Sequence, residues 1–179
     1  MKDVKVGDRV LTMTRGGSPI FSEVTMMMHR NPGALVNDYV SIKTSKEKAI
    51  TLSRYHMVYT KESEYIFAKD VHENQTLVVY DQLKNKFEDS LVTKVSLGSD
   101  IGVYAPLTNE GTIVVDDVFA SCYALFPSHH ISHAVFLVWR NLLYPFSSHE
   151  KLENENEYHW YPDLFRRSMN YLHVFNYLL

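Results

Sequence analysis

The chain has 179 residues, of which 45% are hydrophobic and 22% charged, which suits one globular domain with a modest appendage. The formal net charge of −3 gives no electrostatic reason to expect a nucleic acid partner. The single cysteine, Cys122, excludes an internal disulfide and a cysteine-based zinc site. No basic segment followed by an apolar run opens the chain, so we expect no signal peptide within it.

The first two thirds of the chain carry the pattern of short β-strands separated by turns. Apolar residues alternate around Gly7-Asp8, and residues 15–19 have the composition of a hairpin loop. The charged residues 43–48 are expected to form another loop. Further short strands are predicted at residues 36–42, 49–52, 57–59, 76–80, 91–95 and 112–115. This spacing, without long helical periodicity, predicts an all-β domain.

A short internal similarity accompanies these strands. Lys2-Asp3-Val4 leads through a polar turn to Val10-Leu11, and Lys69-Asp70-Val71 leads through another turn to 77–79. Two copies of one β unit would explain the similarity. Chance explains it equally well over so few residues.

The character of the sequence changes after residue 124. Residues 131–143 are nearly continuously apolar, which predicts a helix or a buried segment. A polar, acidic linker follows at 147–157, and residues 158–179 have the spacing of an amphipathic helix. We therefore divide the chain into a β domain at 1–126 and a helical region at 127–179. The predicted fold is mainly β, followed by a short α-helical tail.

Two smaller motifs suggest modification or metal binding. Asn74-Gln75-Thr76 is a glycosylation sequon, usable only in the secretory pathway. His129, His130 and His133 lack companion cysteines or spaced carboxylates. We therefore predict no metal site, and solvated or helix-end histidines instead.

Several blocks of sequence resemble the Hint fold of hedgehog C-terminal autoprocessing domains and inteins. They are residues 2–11, the block Thr51-Leu52-Ser53-Arg54-Tyr55-His56, the runs 102–108, 111–116 and 120–124, and His159-Trp160-Tyr161 in the tail. The run Ala120-Ser121-Cys122-Tyr123-Ala124 resembles the hedgehog branch rather than the inteins. The resemblance covers nearly the whole chain in order, and it implies a pseudo-twofold β disc.

The resemblance also implies a two-step reaction. A cysteine at the start of such a domain attacks the preceding carbonyl and forms a thioester. A sterol hydroxyl then displaces the thiol and leaves the upstream protein with a lipid ester. The implied partners are cholesterol or a related sterol as substrate, an upstream signalling domain in cis and a membrane surface, without a cofactor. The implied location is the endoplasmic reticulum of the secretory pathway, or outside the cell.

Four residues match catalytic positions of the family. His56 would polarise the scissile peptide or protonate the leaving amine, and Ser53 stands where the family usually has threonine. Cys122 matches a cysteine that assists thiol exchange. His29 occupies the position of the aspartate that activates the sterol hydroxyl. The alternatives are a core histidine at 56, a turn serine at 53, a small buried hydrophobe at 122 and a loop histidine at 29.

The tail resembles the sterol-recognition region of the hedgehog branch. An apolar helical face there would contact sterol and membrane, although such a face more often packs on its own domain. The predicted contact residues are Trp160, Tyr161, Leu164, Phe165, Leu172 and Phe175.

The nucleophilic cysteine of the family has no counterpart in these 179 residues, because its position would precede Met1. We therefore expect the full precursor to cleave itself and transfer cholesterol, and this chain alone to be inactive. The alternative is a non-catalytic Hint-fold remnant that serves as a sterol-binding or interaction module. An intein-type splicing domain is less favoured, because the chain ends in Tyr177-Leu178-Leu179 rather than His-Asn.

Overall fold

The structure is a computed structural model, and it describes residues 1–124, 128–147 and 158–171. Its strands are β1 (Arg9–Met13), β2 (Pro19–Thr44), β3 (Ala49–Ser53), β4 (Met57–Thr60), β5 (Glu64–Phe67), β6 (Thr76–Asp81), β7 (Lys86–Thr108), β8 (Thr112–Val115) and β9 (Val118–Ser121). The helices are α1 (His129–Val135) and α2 (Trp160–Tyr171), with a 3₁₀ turn at Ala68–Asp70, a π-helical stretch at Trp139–Leu143 and a second 3₁₀ turn at Tyr144–Phe146.

All strand pairings are antiparallel. The strand order is β1-β2-β7-β6-β4-β9-β8, with β3 added to β2 and β5 added to β4. Consecutive strands pair as hairpins, for example β1–β2 and β8–β9, whereas β2–β7 joins strands that lie far apart in the sequence. This confirms the predicted fold class, a mainly β domain followed by short helices.

The prediction of uniformly short strands is wrong for β2 and β7. These strands contain 26 and 23 residues and pair with each other along most of their length. The register shifts at five places, one of them between Asn31 and Leu35. Each irregularity bends the strand locally, so one strand can pass from the first half of the disc into the second. Residues 36–42 and 91–95, predicted as separate strands, are segments of these two.

The apolar residues form two cores, one beneath each half of the disc. The first contains Val24, Met26, Leu107 and Phe136, and the second contains Val40, Ile42, Leu77 and Val118. Strand β2 contributes to both cores through its two ends. Two cores joined by shared strands are the arrangement expected of a pseudo-twofold disc.

Backbone hydrogen bonds show that the internal similarity is a structural duplication. The Gly7 amide donates to Val24, and the Val24 amide donates to Asp8. In the second half, the Asn74 amide donates to Val92, and the Val92 amide donates to Gln75. The first of these turns precedes β1 and the second precedes β6, so the two copies match residue by residue here.

A second pair of turns repeats in the same way. The Thr44 hydroxyl donates to the Lys48 carbonyl at 3.2 Å, and the Thr108 hydroxyl donates to the Thr112 carbonyl at 2.8 Å. The first turn joins β2 to β3, which confirms the predicted loop at 45–48, whereas Lys43 and Thr44 belong to β2. The second joins β7 to β8.

The helical region lies against the first core. Ser128 caps α1 by accepting a hydrogen bond from the Ile131 amide. The side chains of Phe136 and Trp139 are buried, whereas Leu137 and Leu142 are more than half exposed. The segment predicted as a helix or buried run is thus helical with one buried face. The predicted boundary at 126/127 and most of the linker lie outside the described residues.

Candidate active site

The site begins with a hydrogen bond between Ser53, the last residue of β3, and His56. The Ser53 Oγ and the His56 Nδ1 are 2.7 Å apart. Three residues, 54–56, connect β3 to β4, and the His56 amide donates to the Ser53 carbonyl. The 3₁₀ turn holds the connection from the other side, because the Ala68 amide donates to the His56 carbonyl at 2.8 Å. Backbone contacts therefore fix the imidazole in a short loop.

A cavity of about 390 Å³ opens beside this pair. Ser53, His56 and Cys122 line it, so the structure brings together three of the four predicted catalytic residues. Met1 lines the same cavity. Its wall is otherwise largely apolar and aromatic, with Val36, Tyr39, Ile50, Leu52, Val103, Tyr104 and Ile113 among the lining residues.

The electrostatics of the pair favour an uncharged imidazole. Burial lowers the pKa of His56 to about 4, because the charged ring would lose its hydration. The ring is therefore neutral near pH 7. With the Ser53 hydroxyl donating to Nδ1, the ring proton lies on Nε2 and can be donated to a ligand in the cavity.

Cys122 lies at the end of β9, and its side chain is only 3% exposed. Its Sγ is 3.8 Å from the Thr108 Oγ1. Burial raises the pKa of the thiol to about 11, so the sulfur is protonated at neutral pH. The arrangement provides a neutral thiol in the cavity wall and not a reactive thiolate.

His29 is placed elsewhere. Its position in β2 pairs with Ala105 of β7, which lines the cavity, but His29 itself is not among the lining residues. Its ring stacks on Tyr158, with ring centroids 3.9 Å apart. The next residue, His159, donates its amide to the Met28 carbonyl. His29 thus lies where the β disc meets the start of α2.

Sequence reasoning did not single out several polar residues of the cavity wall, among them Tyr39 and Asp116. The Tyr39 hydroxyl donates to the Gly102 carbonyl at 2.6 Å, which ties β2 to β7 at the cavity. Gly102 has a φ of +103°, and a Cβ there would lie 2.7 Å from the Tyr104 ring. Tyr39 belongs to no motif, and Asp116 lies in the run 111–116 without a role assigned to it, so Gly102 was the available signal for this contact.

Comparison with known proteins identifies the family. Residues 1–174 match the family model described as the Hint module. The chain belongs to the Hint module family, and within it to the hedgehog type. It is 32% identical over 190 residues to Protein hedgehog of Drosophila ananassae, and 36% identical over 138 residues to that of Drosophila virilis. These matches cover 95% and 74% of this chain but 40% and 28% of the relatives. The chain therefore spans less than half the length of the hedgehog proteins it matches.

Solved inteins share the fold of this Hint domain. A DnaB intein from Synechocystis matches with a TM-score of 0.54 at 11% identity, covering 66% of this chain and 80% of the intein. The gp41-1 intein matches with a TM-score of 0.52 at 17% identity, covering 66% of this chain and 83% of the intein. At these identities the likeness shows the fold alone.

The predicted sterol-contact residues of the helical region differ in their exposure to solvent. Trp160 and Leu164 are 56% and 54% exposed. Tyr161 is buried, and its hydroxyl donates to the Val135 carbonyl at 3.0 Å. The Phe165 side chain, Leu172 and Phe175 lie outside what the structure describes. No helix among the described residues is long and apolar enough to cross a membrane.

The two smaller motifs also have defined positions. Asn74 is exposed in the turn before β6, with a φ of 71°. His129 is buried, His133 is half-buried and His130 is exposed. Within the described part of the chain, no three His, Cys, Asp or Glu side chains are grouped to hold a metal ion.

Proposed function

We propose that this Hint domain catalyses autoprocessing of a hedgehog-type precursor through a thioester, with cholesterol or a related sterol as the final acceptor. The observation that carries the proposal is the hydrogen-bonded Ser53–His56 pair in a cavity that Met1 also lines. A peptide joined ahead of residue 1 would enter the disc beside this imidazole. His56 would then stand within reach of the acyl junction.

In the first step, a thiolate attacks the carbonyl carbon of the scissile peptide. The C–S bond forms, the amide C–N bond breaks, and the leaving amine takes a proton. His56 supplies the hydrogen-bond donor for that nitrogen or carbonyl, because its Nδ1 is occupied by Ser53. Ser53 acts as a positioning residue that fixes the tautomer and the orientation of the ring.

The thiolate must belong to a residue that directly follows the scissile carbonyl. Cys122 lies 121 positions after Met1 in the chain and is held protonated by burial, so it cannot serve. A cysteine in the segment preceding residue 1 would serve as the nucleophile. The polypeptide of residues 1–179 on its own is therefore expected to be inactive.

In the second step, a sterol hydroxyl attacks the thioester carbonyl. The C–O bond forms, the C–S bond breaks, and the thiol is regenerated. His29 is our candidate to accept the hydroxyl proton, because it lies at the junction between the cavity strands and α2. The exposed side chains of Trp160 and Leu164 offer an apolar surface for the sterol on that side.

We further propose that the domain acts in the secretory pathway, joined to an upstream signalling domain in cis and touching a membrane through its helical tail. Asn74 is exposed in a turn, so its amide is sterically accessible to glycosylation there. A glycosidase-sensitive mass increase, lost in Asn74→Gln, would support this location. An unmodified secreted protein would argue against the glycosylation site.

The experiment is to express the precursor with its own upstream segment fused to a reporter. Sterol-bearing vesicles should release the reporter with the mass of a sterol ester, and a thiol reagent should release it without sterol. His56→Ala should lower both releases by about 10² to 10⁴-fold, the usual contribution of a proton-transfer group. Equal rates in His56→Ala, with an unchanged circular dichroism spectrum, would overturn the assignment.

The second candidate is a non-catalytic Hint domain that binds sterol or a protein partner. The position of His29 outside the Ser53–His56 cavity favours it. The transcript immediately upstream of Met1 separates the two. An in-frame strand that begins with cysteine supports the enzyme, and an in-frame stop supports the binding module.

A further inference from the structure

A second groove lies apart from the Ser53–His56 cavity, between the β1–β2 turn and helix α1. Its volume is about 590 Å³. Among the described residues, none lines both cavities. The lining includes Arg15, Glu110 and the three histidines of α1, His129, His130 and His133.

A buried guanidinium lies behind this groove. Arg140 is 8% exposed and donates to the Tyr123 hydroxyl at 2.8 Å and to the His133 carbonyl at 2.7 Å. Both acceptors are neutral, and no carboxylate of the described residues forms an ion pair with Arg140. A buried cation usually has an anionic partner, because desolvation of an unpaired charge is costly. An anion near this group would supply the missing charge.

The hydrogen-bond network assigns the tautomers of two lining histidines. Arg140 can only donate, so the Tyr123 oxygen accepts from it and its own proton goes to the His133 Nδ1, 3.1 Å away. The Ser121 oxygen accepts from the Tyr123 amide, and we assign its own proton to the bond with the His129 Nδ1 at 2.9 Å. In both neutral rings the remaining proton lies on Nε2. Each ring therefore has a donor left for a ligand in the groove.

Arg140 and Arg15 contribute a positive potential at these rings. Burial and the neighbouring positive groups, including Arg140, lower the pKa of His133 to about 4 and that of His129 to about 3. Arg15 contributes to the effect on His133 and lines the groove. An anion bound here would raise the pKa of both rings and so favour their protonated forms.

Two carboxylates oppose this potential. Glu110 lines the groove, and Glu64 lies 3.9 Å from the exposed His130. Both are exposed to solvent, where their effect is screened. The buried charge of Arg140 is thus positive, and the exposed rim of the groove carries charges of both signs.

We propose that this groove binds a phosphate group, free or as a lipid headgroup, through Arg15 and the Nε2–H groups of His129 and His133. Donors from three side chains on two elements suit an oxyanion with several acceptor oxygens. Arg140 lies behind the groove and contributes its positive charge without touching the phosphate. The site does not depend on the proposed autoprocessing, because His56 and Ser53 lie in the other cavity.

The test uses the full 179-residue chain labelled with ¹⁵N-histidine. The Nε2 signals of His129 and His133 should shift saturably with inorganic phosphate at fixed ionic strength, while the His56 signals stay in place. Arg15→Gln should weaken phosphate about threefold, and Glu110→Gln should tighten it by a similar factor, as single screened charges do. Arg15→Lys is the matched control and should retain most of the affinity.

A vesicle-binding measurement distinguishes a lipid headgroup from a soluble phosphate compound as the ligand. Binding to phosphatidic acid vesicles, competed by free phosphate, would support a lipid headgroup as ligand. Saturation by free phosphate without vesicle binding would support a soluble phosphate compound. Shifts that chloride reproduces, or affinities unchanged in both Arg15→Gln and Glu110→Gln, would overturn the proposal.

Discussion

The two halves of the disc repeat their turns with different residues. Gly7 and Asn74 both take a positive φ, 91° and 71°, before β1 and β6. Asp8 accepts the Lys5 amide through its carboxylate, and Gln75 accepts the His72 amide through its side-chain oxygen. The duplication therefore preserves hydrogen bonds and backbone geometry rather than residue identity.

The halves diverge between their last two strands. In the first copy, residues 54–56 connect β3 to β4 and carry His56. In the second copy, Asp116 and Asp117 alone connect β8 to β9, both with positive φ, as in a tight hairpin turn. The Asp117 carboxylate is held by Lys48 and Gln82. The candidate chemistry thus lies where one copy departs from the shared pattern.

The largest expected effect is acid sensitivity, to which His56 of the first copy and the histidines of the helical region contribute. Burial lowers the pKa of His56, His129, His133 and His159 below the ordinary value of about 6.5, to about 4, 3, 4 and 4. The unfolded chain therefore binds more protons between about pH 4 and 6.5. Stability is present above pH 6.5 and is lost as the pH falls, by on the order of 1–2 kcal/mol at pH 5 for each fully buried histidine and by less for the partly exposed His133. Urea unfolding at pH 7 and pH 5 measures the difference.

His129 and His133 pack against the end of the second copy, through Ser121 and Tyr123. Hydrogen exchange at pH 5 should therefore show earlier opening around β9 than around β1. Equal free energies of unfolding at the two pH values would contradict the neutral buried histidines.

The next largest effect compares two equivalent turn residues. Glu47 and Gly111 occupy the same place in the repeated turns, with φ values of 59° and 71°. A Cβ at 111 would lie 2.5 Å from the His133 Nδ1 and 2.7 Å from the Tyr123 hydroxyl. Gly111→Ala should cost on the order of 3 kcal/mol in free energy of unfolding, through strain and the disrupted network.

Glu47→Gly is the matched change in the first copy, and it should be neutral or stabilising by up to about 1 kcal/mol. Thermal and urea unfolding of both variants provide the measurement. Similar losses in the two variants would show that the tight packing at 111 has no energetic consequence.

A smaller effect concerns the diverged connections. Ser53→Ala removes the hydrogen bond to the His56 Nδ1 and should slow cleavage of the precursor about tenfold, through loss of ring orientation. Asp117→Asn, in the corresponding connection of the second copy, should leave the rate unchanged. Ser53→Thr should restore it, since the hydroxyl is kept. A normal rate in Ser53→Ala would remove Ser53 from the positioning role.

The sequence predicted the turns and the fold class better than the strand lengths. Gly7-Asp8 and residues 43–48 carry turn chemistry that depends on local residues, so they were recognisable. Strands β2 and β7 were predicted as fragments, because bulges interrupt the period-2 pattern on which strand prediction rests. The long-range pairing that keeps each strand continuous has no local signal.

The same distinction applies to the site. Ser53, His56 and Cys122 belong to short family motifs, and all three line one cavity. The contacts of Arg140 with Tyr123 and of Tyr39 with Gly102 join distant segments. Nothing in either segment alone predicts such a contact, so both required the structure.

The smallest expected effect tests the first pair of turns directly. Gly7→Asn places in the first copy the residue type that the second copy already uses. Asparagine tolerates positive φ better than other non-glycine residues, so the change should cost less than about 1 kcal/mol in free energy of unfolding. Asn74→Gly should cost only a few tenths, whereas Gly7→Ala should cost about 1 kcal/mol or more. If Gly7→Asn proved as costly as Gly7→Ala in urea unfolding, the two turns would share hydrogen bonds without sharing a tolerance for asparagine.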